Sequence, residues 1–103
     1  MDLEQLDRKR LGALAHPLRV YILQAAELEP VSPSEIAVAT RQPLGVVAYH
    51  FRVLHNVDLI ELTATEQRHG SIQSFYRATG SGWGSLASTL IGMVGSSPSE
   101  RDD

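Results

Sequence analysis

The chain of 103 residues contains no cysteine. That absence excludes a disulfide, a thiolate metal site and a thiol redox switch. Long apolar runs are missing as well. The N-terminus, MDLEQLDRKR, is charged from its second residue and has no signal-peptide core, and the apolar region near the C-terminus is far shorter than a membrane span. A soluble cytoplasmic protein with no membrane partner is therefore expected. There is no glycine-rich phosphate loop and no pair of carboxylates that the expected helices would bring into a cleft, so an enzyme is not expected. The length allows one domain with a modest core and not two.

Positive charge is in the minority. Nine Lys and Arg face twelve Asp and Glu, giving a net charge of −3 and a pI of about 5.7, whereas nucleic-acid binding draws on Lys and Arg that neutralise phosphates. The distribution changes the picture. Residues 1–35 hold six acids and four bases, 36–99 hold three acids and four bases, and 100–103 hold three acids and one base. The negative charge belongs to the flanks, and Ile36 to Val57 contains no acid at all.

Inside that acid-free stretch, QPLGVVAYHFRVLHN (Gln42 to Asn56) reads as a short helix entered through a proline turn. At helical spacing Leu44, Val47, Phe51 and Leu54 share one side, and Gly45, Tyr49, Arg52 and Asn56 share the other. The first side packs and the second is open to a polyanion.

The flanking segments read as support. Between Asp2 and Ala15, leucines 3, 6, 11 and 14 mark an amphipathic helix with acids first and Arg8, Lys9 and Arg10 last, the order a helix dipole favours. The same leucines can serve a dimer contact. His16-Pro17 ends that helix and starts another, in which Leu18, Tyr21, Ile22, Ala25 and Leu28 form the expected buried stripe and Arg19 lies off it. Ser32-Pro33-Ser34-Glu35 is a capping box opening a helix to about Thr40, with Ile36, Ala37 and Val38 expected inward. Arg41-Gln42-Pro43 then makes a tight connection, and two helices so joined form a helix-turn-helix.

After Asn56-Val57-Asp58 the segment from Leu59 to Thr65 alternates from Ile60 onward as a half-buried strand does, Glu66 to Gly70 reads as a polar turn, and Ser71 to Arg77 returns. Phe75 and Tyr76 must point to opposite faces. A hairpin after a helix-turn-helix is a wing, whose tip here offers Arg68 and His69. Ser81 to Val94 reads as a last helix with Trp83, Leu86, Leu90 and Met93 or Val94 on one side and Gly84, Ser88 and Gly92 on another, where small residues admit the close approach of a second helix or a tight contact within the same monomer. Residues 95–103 read as a disordered tail. The expected domain spans 1–94.

The strings LAHPLRVYIL (14–23), SPSEIA (32–37), YHFRVLHNVDLIEL (49–62) and FYRAT (75–79), in this order and spacing, make the chain resemble the ArsR-type (arsenical-resistance-regulator) winged helix-turn-helix repressors over roughly Leu11 to Thr79. The resemblance implies a mainly α (α+β) fold with a two-stranded β-hairpin wing and dimerisation helices at both ends. It implies a homodimer on a near-palindromic double-stranded DNA operator, released when an effector binds. Leu3, Leu6, Trp83, Leu86, Leu90 and Met93 are the dimer candidates. Gln42, Tyr49 and Arg52 would touch bases or phosphate, Arg41 and the amino end of the 33–40 helix phosphate, and Arg68 and His69 the wing contact.

Departures from the family pattern accompany the likeness. Many members sense metals through cysteines or through acids and histidines on the last helix, whereas the segment 83–94 has none of these, so no metal or other cofactor is expected. His50 and His55 share no helix face, which makes them a poor metal pair, and His50 is expected to be structural or close to DNA. Val46 and Ala48 stand where polar side chains are usual, leaving contact with thymine methyl groups as the direct readout beside Gly45. The competing reading is a winged-helix module that has lost specific DNA binding and pairs with another protein.

Overall fold

The computed structural model describes residues 3–80, with the side chain of Leu3 left aside. Along it run α1 (Leu3–Ala13), α2 (Pro17–Leu28), α3 (Pro33–Thr40), α4 (Leu44–Asn56), β1 (Ile60–Arg68) and β2 (Ser71–Ala78). The expected last helix, its residues Trp83, Leu86, Leu90 and Met93, and the expected tail lie outside the described residues. Within them the architecture is a winged helix-turn-helix: four helices followed by an antiparallel two-stranded sheet.

Local chemistry sets most boundaries. The His16 ring caps α2 by accepting from the Leu18 N–H at 3.3 Å, ahead of Pro17 at the first helical position. The capping box of α3 is complete: the Glu35 N–H donates to Ser32 Oγ at 3.2 Å, and the Ser32 N–H donates to Glu35 Oε1 at 3.1 Å. Arg41 ends α3 in the left-handed region at φ 57°, which lets the Gln42 N–H reach back to the Ala37 carbonyl at 3.2 Å. Eight residues cannot hold a helix alone, so α3 depends on Ile36, 3% exposed, docking into the core.

That core is one cluster. Ala13 and Leu14 enter from α1 and the residue after it, Val20, Ile22, Leu23 and Ala26 from α2, Val47, Phe51 and Leu54 from α4, and Val57, Leu59 and Ile60 from the segment that leads into β1. The face of α2 differs from the expected stripe. Tyr21 and Leu28 are exposed, Leu18 and Ala25 only partly buried, and Val20, Leu23 and Ala26 take their place beside Ile22. Because α2 carries apolar residues all round, spacing alone admits two faces, and α4 packs on the other. Val38 is likewise exposed rather than inward, and Leu44 stands half out of the packing side of α4.

The hairpin is longer and more exposed than its alternation suggested. β1 is buried only at Ile60, because only its root meets the helical core. Glu66 to Arg68 belong to the strand rather than the turn. The turn is His69-Gly70 alone, with φ 52° and 83°, the two-residue form whose twist matches that of the strands. The register shifts between Leu62 and Ala64, leaving Thr63 as a bulge. At the root Val31 bridges Tyr76 through paired backbone bonds of 2.9 and 2.8 Å, tying the α2–α3 linker to the sheet. Phe75 is the buried member of the aromatic pair and Tyr76 the half-buried one.

Candidate nucleic-acid interface

The turn after α3 and the proline before α4 present α4 on the surface, its first turn held by the Val46 and Val47 N–H groups donating to the Pro43 carbonyl, each at 3.1 Å. Val47, His50, Phe51 and Leu54 face the core. Gly45, Val46, Tyr49, Arg52, His55 and Asn56 are exposed, and Ala48 is intermediate. The outward side is therefore one continuous surface without an acid. A Cβ added at Gly45 would meet nothing within 4 Å.

Arg41 and Gln42 are both exposed in the turn at the head of α4. Arg52 lies on the side of α4 that looks toward β2, where it lines a cleft of about 490 Å³ with Ala48 and His55 on one wall, Ser71 to Ser74 on the other, and Ser32 to Ser34 at the end. Phe51 and Tyr76 lie at its base, their rings 5.5 Å apart and edge-on. Arg52 makes no hydrogen bond or ion pair with the described residues.

The wing candidates are arranged differently. Arg68 donates to Glu66 Oε1 through Nη2 at 2.7 Å and through Nε at 3.0 Å, and its guanidinium lies 5.1 Å from the centroid of Phe75. Much of its charge is answered within the hairpin. Such an exposed pair contributes only about 0–1 kcal/mol, so a phosphate can compete for the guanidinium. His69 is exposed at the tip, and Arg68 and His69 share a second cleft with Ser34, Glu35 and Val38. Glu35 and Glu66 are thus acids close to Arg68.

His50 is set apart from the other candidates. It is 6% exposed, and its Nδ1 accepts from Arg19 Nε at 3.0 Å, while Arg19 Nη1 also donates to the Ala13 carbonyl at 3.2 Å. The His16 ring lies 4.3 Å away, centroid to centroid. Burial, then His16, then the Arg19 guanidinium hold His50 below the ordinary histidine value of 6.5. This places His50 in the core at the junction of α1, α2 and α4, as the structural half of its expectation has it. Spacing could not reveal its partner: Arg19 is 31 residues away and lies off the stripe of α2 expected to be buried.

Leu6, a dimer candidate, is partly exposed on α1. The described residues hold no cluster of three or more His, Asp or Glu able to hold a metal ion, and no helix among them is long and apolar enough to cross a membrane.

No protein-family model and no curated protein matches the sequence. Solved structures do match. Reduced HlyU from Vibrio cholerae superposes with a TM-score of 0.70 at 15% identity, over 88% of this chain and 90% of that one. The homodimeric winged helix-turn-helix DNA-binding domain of Mb0332 from Mycobacterium bovis, described as a possible ArsR-family transcriptional regulator, gives 0.69 at 22% identity, over 93% and 84%. The transcriptional repressor BigR from Xylella fastidiosa gives 0.66 at 19% identity, over 88% and 84%. At these identities the likeness establishes the shared winged helix-turn-helix fold.

Proposed function

We propose that this chain is an ArsR-type transcriptional regulator, a cytoplasmic non-enzymatic homodimer that binds a near-palindromic DNA operator as a repressor and senses no metal through thiolates. The observation that carries the reading is the acid-free outer face of α4, delivered to the surface by a helix-turn-helix and flanked by a hairpin. In this reading α4 lies in the major groove. Arg52, Tyr49 and Gln42 reach bases or phosphate, Val46 and Ala48 meet thymine methyl groups with Gly45 admitting the duplex, and Arg41 grips the backbone. Arg68 and His69 meet the neighbouring strand from the wing. Structural neighbours described as DNA-binding or as a repressor support the assignment. His50 acts from behind α4 by fixing its position.

One observation favours a second reading. Leu44, Val46, Tyr49, Val38 and Ile72 are all exposed on the helix-turn-helix and the hairpin, an apolar content that suits a protein partner. Salt separates the two. Binding through several phosphates weakens steeply as salt rises from about 50 to 200 mM, because condensed counterions are released, whereas apolar pairing barely responds. We expect a mixed-sequence duplex to bind the folded protein at low salt, with a steep negative slope of log affinity against log salt, read by fluorescence anisotropy. No duplex binding near 50 mM salt would transfer the assignment to a protein partner.

A further inference from the structure

We propose that the cleft between α4 and β2 binds a small planar organic anion, its charge on Arg52 and its apolar body over Ile72 and Tyr76, and that this ligand and the DNA duplex exclude one another. The exclusion rests on the regulator reading above, and the site does not.

Four observations converge on the cleft. Its volume of about 490 Å³ falls in the range of small-ligand sites. None of the residues lining it is acidic, while Arg52 is present with no partner among the described residues. By contrast Arg10 is engaged by the Val57 carbonyl, Arg19 by His50 and Arg68 by Glu66 and Phe75. An anion beside Arg52 gains a charge-assisted, bidentate contact that no described protein group supplies. Donors for further oxygens are at hand in the Ser34 and Ser74 hydroxyls and the amide nitrogen of Gln73, whose oxygen already accepts from Ser32 Oγ at 3.1 Å.

The apolar walls decide between an organic anion and bare phosphate. Ile72 is 70% exposed and Leu44 52% exposed, and a phosphate group would leave both in water. A flat hydrocarbon body covers them. The base of the cleft is aromatic, with Tyr76 edge-on to Phe51 and to His55 at 5.5 and 5.9 Å, which suits a ring better than a branched chain. Arg52 then has two competing partners, the ligand and the duplex, and occupancy by the first removes it from the second.

The test uses the full chain and three probes: benzoate, uncharged benzyl alcohol and inorganic phosphate. Amide NMR spectra are expected to show saturable shifts with benzoate at Arg52 and across residues 71–76. Affinity for the alcohol and for phosphate should be weaker by about tenfold or more. Arg52→Gln and Ala48→Phe, the second filling the cleft from α4, should abolish the benzoate shifts while their spectra remain dispersed. Absence of saturable shifts with both benzoate and the larger 2-naphthoate overturns the site, as does phosphate binding as tightly as benzoate or an unaffected Arg52→Gln. At constant ionic strength benzoate should displace a mixed-sequence duplex. A protein that binds duplex but never benzoate sinks this inference and leaves the regulator intact, and one that binds both at once sinks the exclusion.

Discussion

Protonating His50 costs more in the folded chain than in the unfolded one, because the folded chain buries the ring against His16 and uses its Nδ1 to accept from Arg19. Its folded value therefore lies below 6.5, and as pH falls the unfolded chain takes up the proton first. The stabilisation is complete above the ordinary value and is lost as pH drops through the folded one. Urea midpoints measured between pH 7.5 and 5.5 should fall more for the wild type than for His50→Gln, which keeps an acceptor but cannot charge. Parallel pH profiles for the two proteins would show that His50 carries none of the dependence. Arg52 is the opposite kind of residue, exposed and without a partner among the described residues, so its loss should be read in binding rather than stability. A bidentate arginine on guanine is worth about 1–3 kcal/mol of discrimination. Arg52→Ala is accordingly expected to narrow the affinity ratio between operator and random duplex. If the ratio holds while the salt slope shrinks by about one, Arg52 holds a phosphate and not a base. Both residues were visible in the sequence as members of α4, Arg52 on the open side and His50 left between a structural and a DNA-proximal role. Arg19, which decides the environment of His50, is brought to it by the tertiary packing of α2.

Elements whose signals are local were legible, and those whose faces depend on a distant partner were not. The start of α3 was readable because Ser32 and Glu35 answer each other's backbone groups within four residues. The buried face of α2 was not, because its apolar residues run all round the helix and the side that carries Arg19 and Gln24 is itself partly covered. In β1 the alternation of Ile60, Leu62 and Ala64 implied a covered face, yet only Ile60 reaches the core, since the sheet has two strands and leans outward. Ser32 is worth more than a cap. It is fully buried, accepts from the Glu35 N–H and donates to Gln73 on β2, so it joins the helix-turn-helix to the wing. Ser32→Ala should cost about 1–2 kcal/mol, a typical N-cap loss raised by the stranded Gln73 oxygen. The measurement is a shift of the urea midpoint at unchanged m-value, and a change below a few tenths of a kcal/mol would mean that water replaces the hydroxyl without loss.

At the scale of the whole molecule the charge budget forces a dimer if DNA is the partner. A single copy offers Arg41 and Arg52 on the α4 side and Arg68 on the wing, where phosphate must displace Glu66, with the total charge at −3, few phosphate contacts for a specific complex. Two copies with their α4 helices set about 34 Å apart double the contacts and make the second half-site an intramolecular event. The stripe of Trp83, Leu86, Leu90 and Met93, read from spacing, is the proposed means of pairing, together with Leu3 and Leu6 of α1. Leu90→Glu would place a charge in that contact, and an unpaired buried charge is among the costliest of substitutions. Sedimentation should then show a monomer with the helical signature of residues 3–80 retained, and its affinity for a palindromic duplex should fall by a factor of about 10²–10⁴, the range lost when a linked pair of sites is separated. The same variant should bind a single half-site nearly as the wild type does. A monomeric Leu90→Glu that still held the palindrome tightly would mean that one α4 and one wing suffice, and the symmetric arrangement would have to be abandoned.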